Sequence, residues 1–507
     1  MKIKKLGGFI SLIFVLILLA AGTLFVYYYS KGYRIDILNG EIERTGVITV
    51  ETIPRRATIY VDGKEKGKSP KAITDLTEGE HTVLIKKDGY QDWSMTVTVV
   101  PEQSIPVEIV MFYSTPLSDL ISLPDIDTYQ IDKFYTDKNN QIAIFTVMEE
   151  TESILQVWGY PINRRFWELE TNPYLITEFN IQTTATEVPT PIIDPDNFEI
   201  LISPNSQRAI LSSTVNSENS YFLFYTDRYV EEPAELDNLK FTGDVTPTWS
   251  EDSQYLVFSK NNELRTINVD SIVQTIIAEK TEKDEFIWTS TDTSQLYFVE
   301  KRSADYSIVR IRATGNNKST VIENVVSLSS LSYTDDSEPK SSVVNDIHVS
   351  ENGDYLIIME TERILVYSFK EDEFSLYPAE NPVFLSFSPE GNKFLYTNGN
   401  NPNLFEYNMI VSSGDPIHVL GPRTLLDIHT VYSPRYFAWD PDEKSVLFTN
   451  LNSDNATYTI HSLSIDGLNE YVVYGLSHND KFAIGNSGKY LVGVCEDEML
   501  CKITVRE

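Results

Sequence analysis

The chain has 507 residues, with 41 Lys and Arg against 74 Asp and Glu, for a formal net charge of −33 at pH 7. That length exceeds what one small core needs and predicts two or three folded units. A chain so acidic offers no basic face on which to wrap nucleic acid. Two cysteines exclude a disulfide-dense scaffold, an iron–sulfur carrier and a four-thiolate zinc site.

Residues 6–29 carry no charge, centred on the run from Phe9 to Leu19 and closed by Tyr27-Tyr28-Tyr29. At 1.5 Å per residue this run reaches roughly 36 Å, enough to span a bilayer core of ~30 Å. Lys2, Lys4 and Lys5 precede it without an acid, whereas Lys31 and Arg34 are soon offset by Asp36, Glu41 and Glu43. The asymmetry predicts a single-pass anchor, with residues 1–5 cytoplasmic and the bulk of the chain extracytoplasmic. A cleaved signal peptide ending near Ala20-Ala21-Gly22 is the rival, opposed by the apolar continuation Thr23-Leu24-Phe25-Val26. Gly22 stands where a lipoprotein would need its cysteine.

Residues 30–45 read as a juxtamembrane hairpin around Asn39-Gly40, a dipeptide suited to a turn with two positive φ angles. From 46 to 113 the pattern is continuously β: 47–53, 57–61, 82–87, 95–100 and 107–112, with turns at Asp62-Gly63 and Asp88-Gly89. Short strands without helical periodicity predict a small β-sandwich or barrel. The stretch resembles the PEGA domain of bacterial surface proteins. The resemblance rests on Ala57 to Gly63, Gly67-Lys68-Ser69-Pro70, Gly79-Glu80-His81, and Lys87-Asp88-Gly89-Tyr90 with Trp93. In place of the namesake tetrad stands Pro54-Arg55-Arg56-Ala57, with Arg55 and Arg56 replacing the acid and the glycine. The resemblance implies a non-catalytic surface or interaction module. Within it, Gly63, Gly67, Gly79 and Gly89 read as turn residues, Asp62 as part of the first turn, and Pro70 as an extended entry. Tyr90 and Trp93 read as packing residues or an exposed ligand-stacking pair, and His81 as a polar strand residue.

Residues 114–507 repeat one phrase: a small or acidic turn, then a strand with aromatics. Clear copies begin at Ser203, Trp249, Ser350, Phe387, Trp439 and Gly485, with weaker ones near Thr136 and Trp288. Strand-built repeats at steps of roughly 40 to 65 residues predict a propeller of seven or eight blades. Arranged in a ring, each blade covers the apolar face of its neighbour. The series resembles the WD40-like repeats of the TolB-type propeller family. The predicted fold class is therefore mainly β: a transmembrane helix, a small PEGA-like sandwich, then the propeller.

Cys495 and Cys501 flank the last predicted hairpin tip, either as a cross-strand disulfide or as two small core residues. No hydrolase elbow is present, because Gly475-Leu476-Ser477-His478-Asn479 fails at its final position. The doublets Asp125-Ile126-Asp127 and Asp194-Pro195-Asp196 do not continue into a calcium ligand ladder. No catalytic residue, metal ligand or cofactor site is assigned. The sequence reading is an envelope binding or scaffolding protein whose propeller engages a protein or glycan, without nucleic acid or a defined small-molecule ligand. The alternative is a propeller enzyme, a glycan lyase or hydrolase, with channel carboxylates that meet only in three dimensions.

Overall fold

The computed structural model describes all residues except 1–14, 21, 24–25, 28–32, 37–40, 102, 125, 127–128, 150–152, 164–171, 182–191, 216–217, 231, 237–246, 261, 280–286, 292, 303–304, 326–342, 351–352, 392, 399–400, 407–419, 425–433, 453–456, 466–469, 478, 486 and 496–497. Among the described residues no helix is long and apolar enough to cross a membrane, which overturns the expected anchor over 6–29 and the single-pass, N-in placement built on it. The described helical residues of that run are 15–20, 22–23 and 26–27. Residues 6–14 lie outside the described residues, as does the Asn39-Gly40 turn.

The chain divides into two compact units, one of residues 1–116 with 505–507 and one of 117–504. In the first, β1 (Tyr33–Asp36) pairs antiparallel with β2 (Glu41–Ile53). β2 is thus a single 13-residue strand that crosses the boundary expected at 45/46. Next come β3 (Thr58–Val61), β4 (Lys64–Lys68), β5 (Lys71–Thr77), β6 (Gly79–Lys86), β7 (Trp93–Val99) and β8 (Ser104–Val110). One sheet holds β2 between β5 and a parallel β8, and the other has the order β4-β3-β6-β7. Alternation along β6 buries His81, Val83 and Ile85 and leaves Glu80, Thr82 and Lys86 outside. Each sheet therefore has one apolar face. Ile48, Val50, Ile73, Val107 and Ile109 of one sheet meet Ile59, Val61, Val83, Ile85 and Val97 of the other in a single core. This is sandwich packing.

The second unit contains eight sheets in succession, at 131–193, 198–235, 248–279, 288–322, 344–378, 382–424, 434–476 and 482–504. The first has five strands and the others four. Within each, consecutive strands pair antiparallel, apart from a short parallel addition at Ile192–Ile193. The eighth sheet supplies only three of its own strands. Its fourth is β9 (Leu117–Leu120), which pairs with Leu500–Thr504 more than 370 residues later in register Leu117↔Thr504 to Leu120↔Cys501.

That exchange closes a ring of blades, and the cores follow it around. Phe145 and Trp158 of blade 1 pack with Val492 and Leu500 of blade 8. Blades 1 and 2 share Phe179 and Phe222, and blades 2 and 3 share Tyr221 and Phe258. The pattern continues through Phe298, Tyr306, Tyr396 and Phe448. Blade 7 reaches blade 8 through Tyr436 and Phe482, whose rings cross edge-on at 5.3 Å. Burial on both faces explains why Tyr355–Glu360 and Arg363–Ser368 are buried at every residue rather than at alternate ones.

Candidate functional site

Eight turns join the first and second strands of the blades, and all share one backbone device. The fourth turn residue has positive φ in every blade: Asn140, Ser206, Ser253, Ser294, Gly353, Gly391, Glu443 and Gly488. In seven of them its N–H donates to the carbonyl of the first turn residue, as Ser206 does to Ser203 at 2.8 Å and Gly391 to Ser388 at 2.8 Å. This is a type I turn extended by one left-handed residue. The side chain at the first position caps the turn. Ser250 Oγ accepts from Tyr255 N at 2.9 Å, and Asp137 Oδ1 accepts from Ile142 N at 2.8 Å.

These turns also bond to one another around the ring. Ile484 N donates to Asn140 Oδ1 (3.1 Å), Ser206 Oγ to Asp137 Oδ2 (2.9 Å), Asn205 N to Ser253 Oγ (2.9 Å) and Glu251 N to Ser290 Oγ (3.0 Å). Glu390 N and Lys393 Nζ both reach the Glu443 carboxylate, which joins blades 6 and 7. Lys138 of blade 1 pairs with Glu251 of blade 3 at 3.1 Å, passing over blade 2. One end of the propeller thus commits many of its polar groups to itself.

The first strand of each blade runs away from the opposite end, where the blade-to-blade connections lie. The first strands of blades 1 and 2, 1 and 8, and 4 and 5 touch, as innermost strands do. At their starts in blades 5 and 6, Val343 and Val383 are 54% and 58% exposed. Farther along these strands, two residues before Ser350, the His348 ring stacks on Phe384 at 3.8 Å, with His348 Nε2 2.9 Å from Asp346 Oδ2. The exposed pair at the strand starts is apolar.

A carboxylate site for catalysis would need acids left free for substrate. Among the described residues, four carboxylates are buried: Asp137, Glu360, Asp440 and Glu443. Asp137 and Glu443 serve the turns above, and Asp440 Oδ2 accepts from Ser445 Oγ at 3.0 Å. Glu360 is held by Arg363 and by Tyr306 Oη at 2.6 Å. No group of three or more metal-ligating side chains occurs among the described residues. Asp194 Oδ1 accepts from Asp196 N at 3.1 Å in a local turn, and Asp125 and Asp127 lie outside the described residues.

In the sandwich unit, several of the singled-out residues form one cluster at the Asp62-Gly63 turn, where both residues have positive φ. Asp62 Oδ1 accepts from Thr82 N at 3.0 Å. Asp62 Oδ2 lies 2.7 Å from His81 Nδ1, and His81 Nε2 lies 2.8 Å from the Thr77 carbonyl. Burial opposes charge on the ring, but the hydrogen bonds to Asp62 and Thr77 outweigh it, so His81 titrates above the usual histidine range. The His81 bond likewise holds Asp62 below the usual carboxylate range. Gly67, Gly79 and Gly89 all have positive φ, and Pro70 follows a cis peptide bond. Trp93 packs on the core. Tyr90 also packs there, stacks on Tyr113 at 4.9 Å and donates to Glu507 Oε1 at 2.8 Å. Burial, with Glu507 and Tyr113 beside it, raises the Tyr90 hydroxyl well above the ordinary tyrosine value.

Cys495 and Cys501 form a disulfide with Cα atoms 5.9 Å apart, across the hairpin next to the strand that β9 completes. Sequence reasoning did not reach the Asp62–His81–Thr77 cluster or the ring of bonded turns. A repeated Ser or Asp at the first turn position was the available signal for the latter.

Comparison with curated proteins finds no match. Among solved structures, the chain is similar to the β-propeller domain of Cps50 (Swd1) from Myceliophteria thermophila, at 11% identity and TM-score 0.40 over 61% of this chain and 96% of that one. It is similar to dipeptidyl peptidase 4 of Porphyromonas gingivalis, at 13% identity and TM-score 0.42 over 71% and 55% of the two chains. A prolyl endopeptidase gives 10% identity and TM-score 0.43 over 69% and 50%. The chain spans about half the length of these two peptidases. Strand order and cores shared between successive sheets make the second unit a propeller. Residues 45–111 match the PEGA domain family.

Proposed function

We propose that the chain is a binding or scaffolding protein whose propeller engages a protein or glycan partner through the end bearing the blade-to-blade connections. The PEGA-matching unit acts as a spacer or second contact. The observation that carries this reading is the contrast between the two ends: one is bonded turn to turn, while the other exposes Val343 and Val383 at the starts of neighbouring first strands. Exposed apolar groups rimmed by polar ones are what a partner surface offers.

A photo-reactive residue at position 383 of the full chain should yield a discrete adduct with the partner. The same group at Val472, equally exposed on an outer strand, should not. Adducts from position 472 alone would contradict the reading. So would saturable hydrolysis by the purified chain that one carboxylate or serine substitution abolishes.

A further inference from the structure

The chain's charge is unevenly spread: residues 46–113 carry eight basic against ten acidic side chains, so almost all of the −33 lies elsewhere. Within this stretch the cations gather at one corner. The segments around Arg56 and Ser69 are stitched together: Arg56 N donates to Ser69 O at 3.0 Å, Ser69 N to Ala57 O at 2.9 Å, and Ala57 N to Ser69 Oγ at 3.1 Å. This brings Arg56 beside Lys68, with Lys64, Glu65 and Lys66 continuing along β4 and Lys71 Nζ donating to the Lys66 carbonyl. Lys87 Nζ closes the group on the Arg55 carbonyl at 2.9 Å. Among the described residues, none of Arg55, Arg56, Lys64, Lys66, Lys68 and Lys71 is in an ion pair, whereas nearby Lys86 pairs with Asp92.

Lysines on β4 have an ordinary explanation, because β4 is a sheet edge and edge lysines discourage strand pairing. Arg55 and Arg56 are not on that strand, and Arg56 departs from local preference. It occupies the glycine position of the family tetrad and keeps a φ of 66°, in the left-handed region that favours glycine. An exposed arginine held there, among like charges, is disfavoured by both backbone and electrostatics. We infer that this corner is a recognition site for an acidic, extended peptide segment of a partner protein, with Arg55 and Arg56 gripping carboxylates and the β4 lysines aligning the rest.

Paired guanidinium groups suit carboxylates because each offers two parallel N–H donors. The row of cations is short, about 16 Å for the five residues of β4. A short acidic segment matches so short a row, because charges beyond the ~8 Å screening length of the patch gain little from it. These cations belong to the sandwich unit and the proposed partner surface to the propeller, so either can fail without the other.

The test is fluorescence anisotropy of labelled hexaglutamate with the full chain, at 50 and 200 mM NaCl. Saturable binding is expected, at least tenfold weaker at the higher salt, with none for hexaglutamine. Arg56→Gly should weaken binding several-fold while leaving the thermal transition unchanged or higher, which separates recognition from folding. Arg55→Glu with Arg56→Gly should weaken it at least tenfold, and Val383→Asp should leave it unchanged. Three results would overturn the inference: hexaglutamate binding that is absent or insensitive to Arg55 and Arg56; a sulfated glycan or anionic vesicles bound as tightly as the peptide; or a dimer of the unliganded chain that Arg56→Gly dissociates.

Discussion

His81 and Asp62 form a pair in which the imidazole has no acceptor role left to play. Nδ1 faces the Asp62 carboxylate at 2.7 Å and Nε2 faces the Thr77 carbonyl at 2.8 Å, so both nitrogens are called upon to donate. Only the imidazolium satisfies both.

The pH dependence follows with a definite sign. Because the folded pKa of His81 is raised, its contribution is complete below the unfolded value of about 6.5 and is lost as pH rises through the folded value. Asp62 is depressed, so its contribution is present above about 3.9 and is lost as pH falls through its folded value. The PEGA-matching unit should therefore be most stable between those limits. His81→Asn should cost about 1–2 kcal/mol at pH 5.5 and distinctly less at pH 8.5, read as the shift in its unfolding transition.

Glu360 is fully buried, with Arg363 5% exposed and Tyr306 reaching across from the neighbouring blade. Burial and the adjoining Glu360 keep the Tyr306 hydroxyl protonated well above the ordinary tyrosine value. Removing one partner strands the other charge in the core. Glu360→Ala should cost about 3–5 kcal/mol, and Tyr306→Phe about 1–2 kcal/mol. Denaturant midpoints of the propeller check both, and additive effects in the double variant would contradict the shared network.

Asp137 accepts from three backbone N–H groups, those of Asn139 (3.0 Å), Gln141 (2.7 Å) and Ile142 (2.8 Å), and from Ser206 Oγ at 2.9 Å. Asp137→Ala leaves these three donors without their acceptor, that of Ile142 in a buried position, and should cost about 2–3 kcal/mol. Ser206→Ala, which removes only the blade-to-blade bond, should cost about 1 kcal/mol. Equal losses from the two substitutions would argue against the capping role.

The Cys495–Cys501 disulfide closes a loop of sequence separation six. Chain entropy over so short a loop limits its contribution to about 2 kcal/mol. Replacing both cysteines by serine should lower stability by that amount without altering the fold, as judged by far-ultraviolet circular dichroism and a denaturant midpoint.

Local chemistry made much of this architecture readable in the sequence. Ser203, Ser250, Ser350 and Ser388 each open a turn whose geometry is set within six residues, so the repeats announced themselves without tertiary information. The glycines at 63, 67, 79 and 89 are where a left-handed backbone is easiest to write. Partners distant in sequence left no such mark. Asp62 reaches His81 because β3 pairs with β6, not because of any spacing in the sequence. Leu117–Leu120 reads as four exposed residues with no pattern, and only the strand at 500–504 gives it a place. The apolar run over 6–29 misled because hydropathy reports an opportunity to span, and among the described residues no helix is long and apolar enough to cross a membrane.

Closure of the propeller is tested most directly by hydrogen–deuterium exchange at the backbone amides of residues 117–120. If β9 completes the eighth sheet, its ladder amides should be protected to the level of their partners in Leu500–Thr504, and substituting proline at Ser118 should speed exchange across both strands together. Exchange of 117–120 at the rate of an unstructured peptide, beside a protected 500–504, would contradict a ring closed by this strand.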